Sequence, residues 1–169
     1  PSLGKADIII MEKNRLNLPG DIRTFIFDDF VHVIDTVRFL MGADYLNCTV
    51  NYKKENGLLK NVVLKLSNDN TTAIAIMNRD NGITEETIEY MTSGKKSVVT
   101  SLVETTSYAD GNKSIKGFGD WDNTLYKRGF VSIINGFLDA VKNNTDLPIY
   151  LEDSIKTHKL CEDIVSSIL

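Results

Sequence analysis

The stretch YLNCTVNYKKENGLLKNVVLKLSNDNTTAIAIM, residues 45–77, decides the fold, because apolar and polar side chains alternate along most of its length. A period of two places successive side chains on opposite faces of a β-strand. Asn56-Gly57 and Asn68-Asp69-Asn70 are typical turn sequences that separate the alternating segments. We therefore predict successive antiparallel strands at Tyr45 to Tyr52, Leu58 to Leu66 and Thr71 to Met77.

The same alternation continues on both sides of this stretch. Upstream, Asp7 to Met11 contains three consecutive Ile residues and predicts a short strand. Breaks near Ser93-Gly94 and Asp110-Gly111 separate further segments downstream. These further strands are predicted at Thr87 to Met91, Ser97 to Thr106 and Lys113 to Phe118. Together they predict five or six strands in a meander, because a meander needs only short connections.

A helix is predicted between the first strand and the meander. Asp28 and Asp29 suit its positive N-terminal end, and Gly42 suits its C-terminal end. We therefore expect the helix to begin at Asp28, with Phe25 to Phe27 extended or irregular. Its apolar residues recur at helical spacing and predict one buried face, formed by Phe30, Val33, Ile34, Val37 and Met41.

Two more helices are predicted to close the chain, separated by Pro148. The first carries a broad apolar stripe of Phe130, Ile133, Ile134, Phe137, Leu138 and Val141. The second, beginning near Glu152 and Asp153, carries a stripe of Leu160, Cys161, Ile164, Val165 and Ile168. Helices around a block of strands predict a two-layer α+β sandwich, a large mostly antiparallel sheet with helices on one face.

Composition excludes several classes of function. The 169 residues suit one domain, and the net charge of −4 is accompanied by no concentrated basic stripe, which argues against nucleic-acid binding. No apolar run approaches the roughly 20 residues that a membrane span requires, and no signal-peptide pattern opens the chain. Cys48 and Cys161 match no zinc or redox spacing, so we expect reduced packing residues in a cytoplasmic protein.

The sequence DDFVHVID, residues 28–35, contains the cluster with the clearest chemical potential. At 100° per residue, Asp28, His32 and Asp35 lie within roughly 60° of one another on a helix surface. An imidazole beside carboxylates can both take and give a proton near neutral pH. The pattern alone favours a solvated polar face with one surface histidine. A metal site is a third interpretation, because Asp and His at this spacing could supply three ligands.

The segment KNRLNLPGDIRTFIFDDFVHVIDTVRFL, residues 13–40, resembles the opening of the C-terminal domain in the Gfo/Idh/MocA family of NAD(P)-dependent oxidoreductases. That domain carries an Asp-x-x-x-His-x-x-Asp motif at the head of a helix, which Asp28, His32 and Asp35 match. Leu40-Met41-Gly42 matches the ending of that helix, whereas Phe30 replaces a common glycine. The predicted meander and the two closing helices extend the resemblance over nearly the whole chain.

The resemblance implies a role for each site residue. His32 would be the acid/base that removes a hydroxyl proton as hydride leaves the carbinol carbon, and Asp28 would orient it or hold a substrate hydroxyl. Arg15 and Asp29 would bind the substrate, although Arg15 also suits a surface position at a strand end. Asp35 would be a structural partner within the helix. The implied substrate is a sugar, inositol or similar polyhydroxy compound, and no metal is expected.

The resemblance also implies what this sequence does not contain. NAD or NADP would be bound mainly by an N-terminal Rossmann domain, yet no Gly-x-Gly-x-x-Gly follows a predicted strand. Residues 1–169 are therefore expected to be the C-terminal substrate-binding and oligomerisation domain, inactive without a nucleotide domain preceding Pro1. A homodimer or higher homo-oligomer through the sheet face is expected. The alternative, favoured by Phe30, is a non-enzymatic ligand-binding or dimerisation module of the same fold.

Overall fold

The computed structural model describes residues 4–147 and 151–169. Its strands are β1 (Ile8–Asn14), β2 (Asn47–Glu55), β3 (Leu58–Ser67), β4 (Thr72–Asn78), β5 (Glu85–Thr92), β6 (Lys95–Thr100), β7 (Glu104–Ala109) and β8 (Asn112–Gly117). Its helices are α1 (Ile22–Thr24), a π-helix (Phe25–Phe30), α2 (Val31–Met41), α3 (Thr124–Lys127), α4 (Phe130–Asn143) and α5 (Leu151–Ile168). The predicted Pro148 break lies outside the described residues.

The strands form one sheet in the order β2-β3-β4-β1-β5-β6-β7-β8. Every neighbouring pair is antiparallel except β1 and β4, which run parallel, so the predicted mostly antiparallel sheet is confirmed. The prediction of a simple meander is wrong, because β1 is inserted between β4 and β5. The polar connection at 79–84 passes the end of β1 and forms a bridge there, between Leu16 and Asn81.

The predicted single strand from Ser97 to Thr106 is also wrong. The chain turns at Ser101 and Leu102, whose φ angles are +53° and +58°, and separates β6 from β7. Residues other than glycine, asparagine and aspartate seldom adopt positive φ, so the local sequence gives no turn signal here. The Asn56-Gly57 turn, in contrast, has the expected positive φ angles of +52° and +79°.

Helical structure begins six residues before the predicted start at Asp28. The Asp21 carboxylate caps the first turn by accepting a hydrogen bond from the Thr24 backbone N–H at 3.0 Å. The residues predicted as extended or irregular, Phe25 to Phe27, instead lie in the π-helix. Its wider turn lets Phe25, Ile26 and Phe30 all be buried, which the ordinary helical period does not anticipate.

The core lies between one face of the sheet and the helices α2 and α5, which confirms the two-layer sandwich. Every predicted core residue of the first helix and of the last helix is buried. Gly42 ends α2 with a φ of +63°, as expected for a helix C-terminus. Side chains also connect the two helices, because Thr157 on α5 donates a hydrogen bond to Asp35 on α2 at 2.7 Å.

The apolar stripe of α4 has no comparable cover. The helix forms as predicted, but the side chains of its stripe are about half exposed: Phe130, Ile133, Ile134, Phe137, Leu138 and Val141. Among the described helices, none is long and apolar enough to cross a membrane.

Replacing Phe30 tests the burial of the π-helix in the core. Phe30 is fully buried, so Phe30→Ala should lower the free energy of unfolding by about 3–5 kcal/mol. Phe39→Ala is the matched control, because Phe39 lies on α2, which directly continues the π-helix, and is 77% exposed. It should change the free energy by less than about 0.5 kcal/mol in denaturant unfolding. Equal losses in the two variants would contradict this packing.

Candidate active site

An open cleft lies where β1 and β4 end. Its volume is about 410 Å³, within the range of small-molecule sites, and its lining residues are Arg15, Leu16, Leu18, Thr24, Asp28, Asp29, Arg79 and Thr84. Because β1 and β4 are parallel neighbours, their C-terminal ends meet at the same edge of the sheet. Arg15 directly follows β1 and Arg79 directly follows β4, so the topology brings both arginines to one place.

Backbone hydrogen bonds hold the two ends together. The Arg15 N–H donates to the Asn78 carbonyl at 2.8 Å, and the Asn81 N–H donates to the Arg15 carbonyl at 3.1 Å. The connection after β4 is therefore tied to the segment after β1, and the π-helix lies above both. The structure thus places the sequence-predicted residues Arg15, Asp28 and Asp29 in one cleft.

Asp29 is the most strongly bound side chain in this cleft. Arg15 donates two hydrogen bonds to it, from Nε and Nη2, each at 2.9 Å, and Lys13 Nζ lies 2.8 Å from Oδ1. Burial raises the pKa of Asp29, but the hydrogen bonds and charges of Arg15 and Lys13 outweigh burial and lower it to about 2. Both carboxylate oxygens are occupied, so this residue fastens the π-helix to the end of β1.

Asp28 and His32 are arranged differently. Both side chains are exposed, and Asp28 lines the cleft while His32 lies on the first turn of α2. In the part of the chain that the structure describes, neither one forms an ion pair or a side-chain hydrogen bond. The Asp28 carboxylate is therefore available to a molecule in the cleft, whereas His32 is exposed on the following turn and is not part of the cleft lining.

Asp35 points away from this pair toward α5. Its carboxylate accepts the 2.7 Å hydrogen bond from Thr157, and Arg38 donates to the same hydroxyl at 2.5 Å. Arg38 also pairs with Asp153 at 2.8 Å. Within residues 4–147 and 151–169, no three His, Cys, Asp or Glu side chains come together as a metal site.

Arg79 and Thr84 also line the cleft, and no sequence pattern points to either residue. The run Arg79-Asp80-Asn81-Gly82 has the composition of an ordinary polar turn between two strands. Only the parallel pairing of β1 with β4 brings this run to Arg15, and that pairing joins segments about sixty residues apart in sequence. No local pattern could have indicated it.

The glycines of this chain do not form a dinucleotide phosphate site. Such a site needs a glycine-rich turn between a strand and the N-terminus of a helix. Gly57, Gly94 and Gly111 lie in turns between antiparallel strands, and Gly42 and Gly129 lie at helix ends that no strand directly precedes. Gly20 lies between β1 and α1, but it is a single glycine and not a glycine-rich turn. The described residues therefore do not fit the pyrophosphate of NAD or NADP.

Comparison with known proteins supports the fold. The family model for the YceM-like C-terminal domain matches residues 2–109, so the chain belongs to that family. The resemblance to the C-terminal domain of Gfo/Idh/MocA oxidoreductases is thereby confirmed. The YceM protein of Salmonella typhimurium, whose name describes it as a candidate oxidoreductase, is 29% identical over 95% of this chain and 53% of its own length.

Two solved structures at 30% identity support the same assignment. A dehydrogenase from Clostridium difficile superposes with a TM-score of 0.92, covering 98% of this chain and 56% of its own. A Gfo/Idh/MocA family oxidoreductase from Vibrio cholerae superposes with a TM-score of 0.88, covering 98% of this chain and 53% of its own. The chain thus spans about half the length of the relatives it matches.

The ion pairs of Asp29 predict that the free energy of unfolding decreases at acidic pH. Because the folded-state pKa is about 2, below the ordinary 3.8, the stabilisation from the ionised carboxylate is complete above about pH 4. It should be lost as the pH falls toward 2. Asp29→Asn should lower the free energy of unfolding by about 1–3 kcal/mol at pH 7, a value reduced for the partial exposure of Arg15.

Denaturant unfolding between pH 2 and 7 measures this effect, with Asp28→Asn as the matched control. The control removes an exposed neighbouring carboxylate and should cost less than about 0.5 kcal/mol. The gap between wild type and Asp29→Asn should narrow below pH 4. A gap that stays constant down to pH 2 would refute the assigned role of Asp29.

Proposed function

We propose that this chain is the substrate-binding and proton-transferring half of an NAD(P)-dependent dehydrogenase that acts on a hydroxyl group of a polyhydroxy compound. The observation that supports this proposal is the exposed pair Asp28 and His32 beside a cleft, in a chain of this family. A side chain already engaged in a structural hydrogen bond, as Asp35 is with Thr157, would be less available for proton transfer.

The proton chemistry assigned to this chain follows from the exposure of His32. Oxidation of a carbinol to a carbonyl releases one proton from the hydroxyl and a hydride from carbon. Neutral imidazole nitrogen accepts that proton and returns it in the reverse reaction, as general acid–base catalysis requires. Asp28 would orient the imidazole or accept a hydrogen bond from a substrate hydroxyl, and Arg15 would line the same cleft.

In this proposal the electron acceptor is bound by another domain of the protein. NAD or NADP supplies the electron acceptor, and a nucleotide-binding domain N-terminal to this one would hold it. The absence of a phosphate-binding turn among the described glycines supports that division. Residues 1–169 would then form the C-terminal domain, and this chain alone would not turn over.

Replacing His32 in the full-length protein tests the acid/base role. His32→Ala should lower the rate of NAD(P)-dependent oxidation of a polyol or sugar by about 10²–10⁴-fold, the usual contribution of general acid–base catalysis. His158→Ala is the matched control, because His158 is exposed on α5, where its Nδ1 lies 2.9 Å from the Ser154 carbonyl, and it does not belong to the helical segment of Asp28. Its rate should match that of the wild type in a spectrophotometric assay of NAD(P)H.

Two outcomes would contradict the proposal. A His32→Ala enzyme with an unchanged rate and an unchanged pH profile would remove the acid/base assignment. A full-length protein that binds neither NAD nor NADP would favour the alternative, a ligand-binding or dimerisation module without catalysis.

We also propose that the uncovered face of the sheet forms a homo-oligomer contact. Along β4 the residues alternate between buried and half-buried, and Ile74 and Ile76 are on the half-buried side. Ile10 on β1 lies directly beside Ile74 in the register of the sheet, so apolar surface continues across neighbouring strands. Soluble monomers seldom expose large continuous apolar patches.

Light scattering on the full-length protein tests this contact. Ile74→Lys should convert the oligomer to a smaller species, because it places a charge in the middle of the apolar sheet face. Ile133→Lys is the matched control on the exposed stripe of α4 and should leave the mass unchanged. A loss of mass in the control alone would assign the contact to α4 instead.

A further inference from the structure

Arg79 is a buried cation without an acidic partner among the described residues. Its exposed fraction is 8%, and its Nε and Nη1 atoms are buried without a hydrogen-bond partner. The other arginines of this chain all form an ion pair: Arg15 with Asp29, Arg23 with Glu162, Arg38 with Asp153 and Arg128 with Glu86. Arg79 thus differs from the other arginines in having no ion pair with a described residue.

A guanidinium in this position is energetically costly. Burial removes its hydration, and arginine cannot escape by losing its proton. The charge lies over the ring of the buried Phe25, 5.3 Å from the ring centroid, which offsets part of that cost. An aromatic ring does not replace the hydrogen bonds that five N–H groups require. The buried donors therefore still need an acceptor.

The position of Arg79 is fixed by its surroundings. Its backbone N–H donates to the Lys60 carbonyl at 2.8 Å, and its carbonyl accepts from the Leu18 N–H at 2.6 Å. Gly20 borders the guanidinium so closely that a Cβ at Gly20 would be 3.2 Å from Nη1. Gly20 therefore leaves the room that the guanidinium occupies, and the side chain is held in place before any ligand arrives.

The same side chain lines the cleft that contains Asp28 and Arg15. Nη2 is not among the buried unpartnered atoms and makes no hydrogen bond to a described residue, so it is the guanidinium nitrogen that retains solvent contact. The charge of Arg15 is already matched by Asp29. Arg79 is therefore the cation in this cleft whose charge no described carboxylate neutralises.

We propose that Arg79 binds an oxyanion of the molecule that occupies the cleft, a carboxylate or a phosphate. Guanidinium donates charge-assisted hydrogen bonds to both groups, and Nη2 is the nitrogen of Arg79 that an anion in the cleft can reach. The substrate of the proposed dehydrogenase is then an acidic polyhydroxy compound, with its anionic group on Arg79 and its reacting hydroxyl near His32. This substrate assignment rests on the proposed function, whereas anion binding by Arg79 does not.

Calorimetric titration of the full-length protein tests the anion site directly. The probes are D-gluconate for a carboxylate, inorganic phosphate for a phosphate, and D-sorbitol as a neutral polyol, all at one ionic strength set with sodium chloride. Gluconate or phosphate should bind more tightly than sorbitol, and the tighter of the two identifies the anion. Equal or absent binding of all three probes would overturn the proposal.

Variants assign the binding to Arg79. Arg79→Gln should weaken binding of the preferred anion by about 10–100-fold, the usual effect of losing a hydrogen bond to a charged group. Arg23→Gln is the matched control, because Arg23 is exposed and lies outside the cleft lining. Its affinity should stay at the wild-type value. Unchanged anion affinity in Arg79→Gln would overturn the assignment.

Gly20→Ala decides the matter if Arg79→Gln does not fold. The variant keeps the positive charge but adds a Cβ 3.2 Å from Nη1, so the guanidinium has to move by a few tenths of an ångström and anion binding should weaken. An unchanged affinity in Gly20→Ala would then overturn the proposal.

Turnover assays separate this inference from the proposed function. If sorbitol and gluconate are oxidised equally well and Arg79→Gln changes neither KM, the dehydrogenase proposal stands and the anion site fails. If gluconate binds through Arg79 but no probe is oxidised with NAD or NADP, the anion site stands and the dehydrogenase proposal fails.

Discussion

The contact of Asp29 with Arg15 and Lys13 is the constraint on which the site depends. It joins the π-helix to the end of the central strand β1 by two hydrogen bonds and an ion pair, all between 2.8 and 2.9 Å. Successive residues of a helix point in different directions, so fixing Asp29 inward leaves Asp28 directed to the cleft. One carboxylate of the Asp-Asp pair therefore holds the structure, and the other remains free for chemistry.

Strand order supplies the rest of the cleft. The first strand enters the middle of the sheet beside β4 and runs parallel to it, although every other pair of neighbouring strands is antiparallel. The carboxyl ends of this parallel pair meet, and ligands often bind at such ends in open sheets. Arg15 and Arg79 therefore share a wall, although 64 positions separate them in the sequence.

Periodic patterns predicted most of the fold. Alternation located β2, β3 and β4, and helical spacing identified the buried faces of α2 and α5, because those patterns record which side meets the core. The predicted start of the first helix was too late. Asp21 caps the helix before a π-helical turn, and the apolar spacing of that turn does not match the ordinary helical period. The turn at Ser101 and Leu102 was missed because neither residue type favours positive φ.

The site was predictable only where its residues are close together in sequence. Asp28, Asp29 and His32 share one helical segment, so their spacing could be analysed, and Arg15 followed from the resemblance to a family. Arg79 depends on strand pairing over a long distance, and its turn-like neighbours concealed it. The distinct tasks of Asp28 and Asp29 were also hidden, because two adjacent aspartates are chemically alike until the fold gives one of them a partner.

The π-helix can also be described as a one-residue insertion in an otherwise regular α-helix. Such an insertion shifts the angular phase of everything before it by roughly 100° relative to everything after it. Asp28 belongs to the segment with the extra residue, and His32 belongs to the regular helix that follows. Their relative orientation is thus set by the length of the backbone between Phe25 and Phe30. Loss of one residue in that span would rotate Asp28 relative to His32 about the helix axis without changing either side chain.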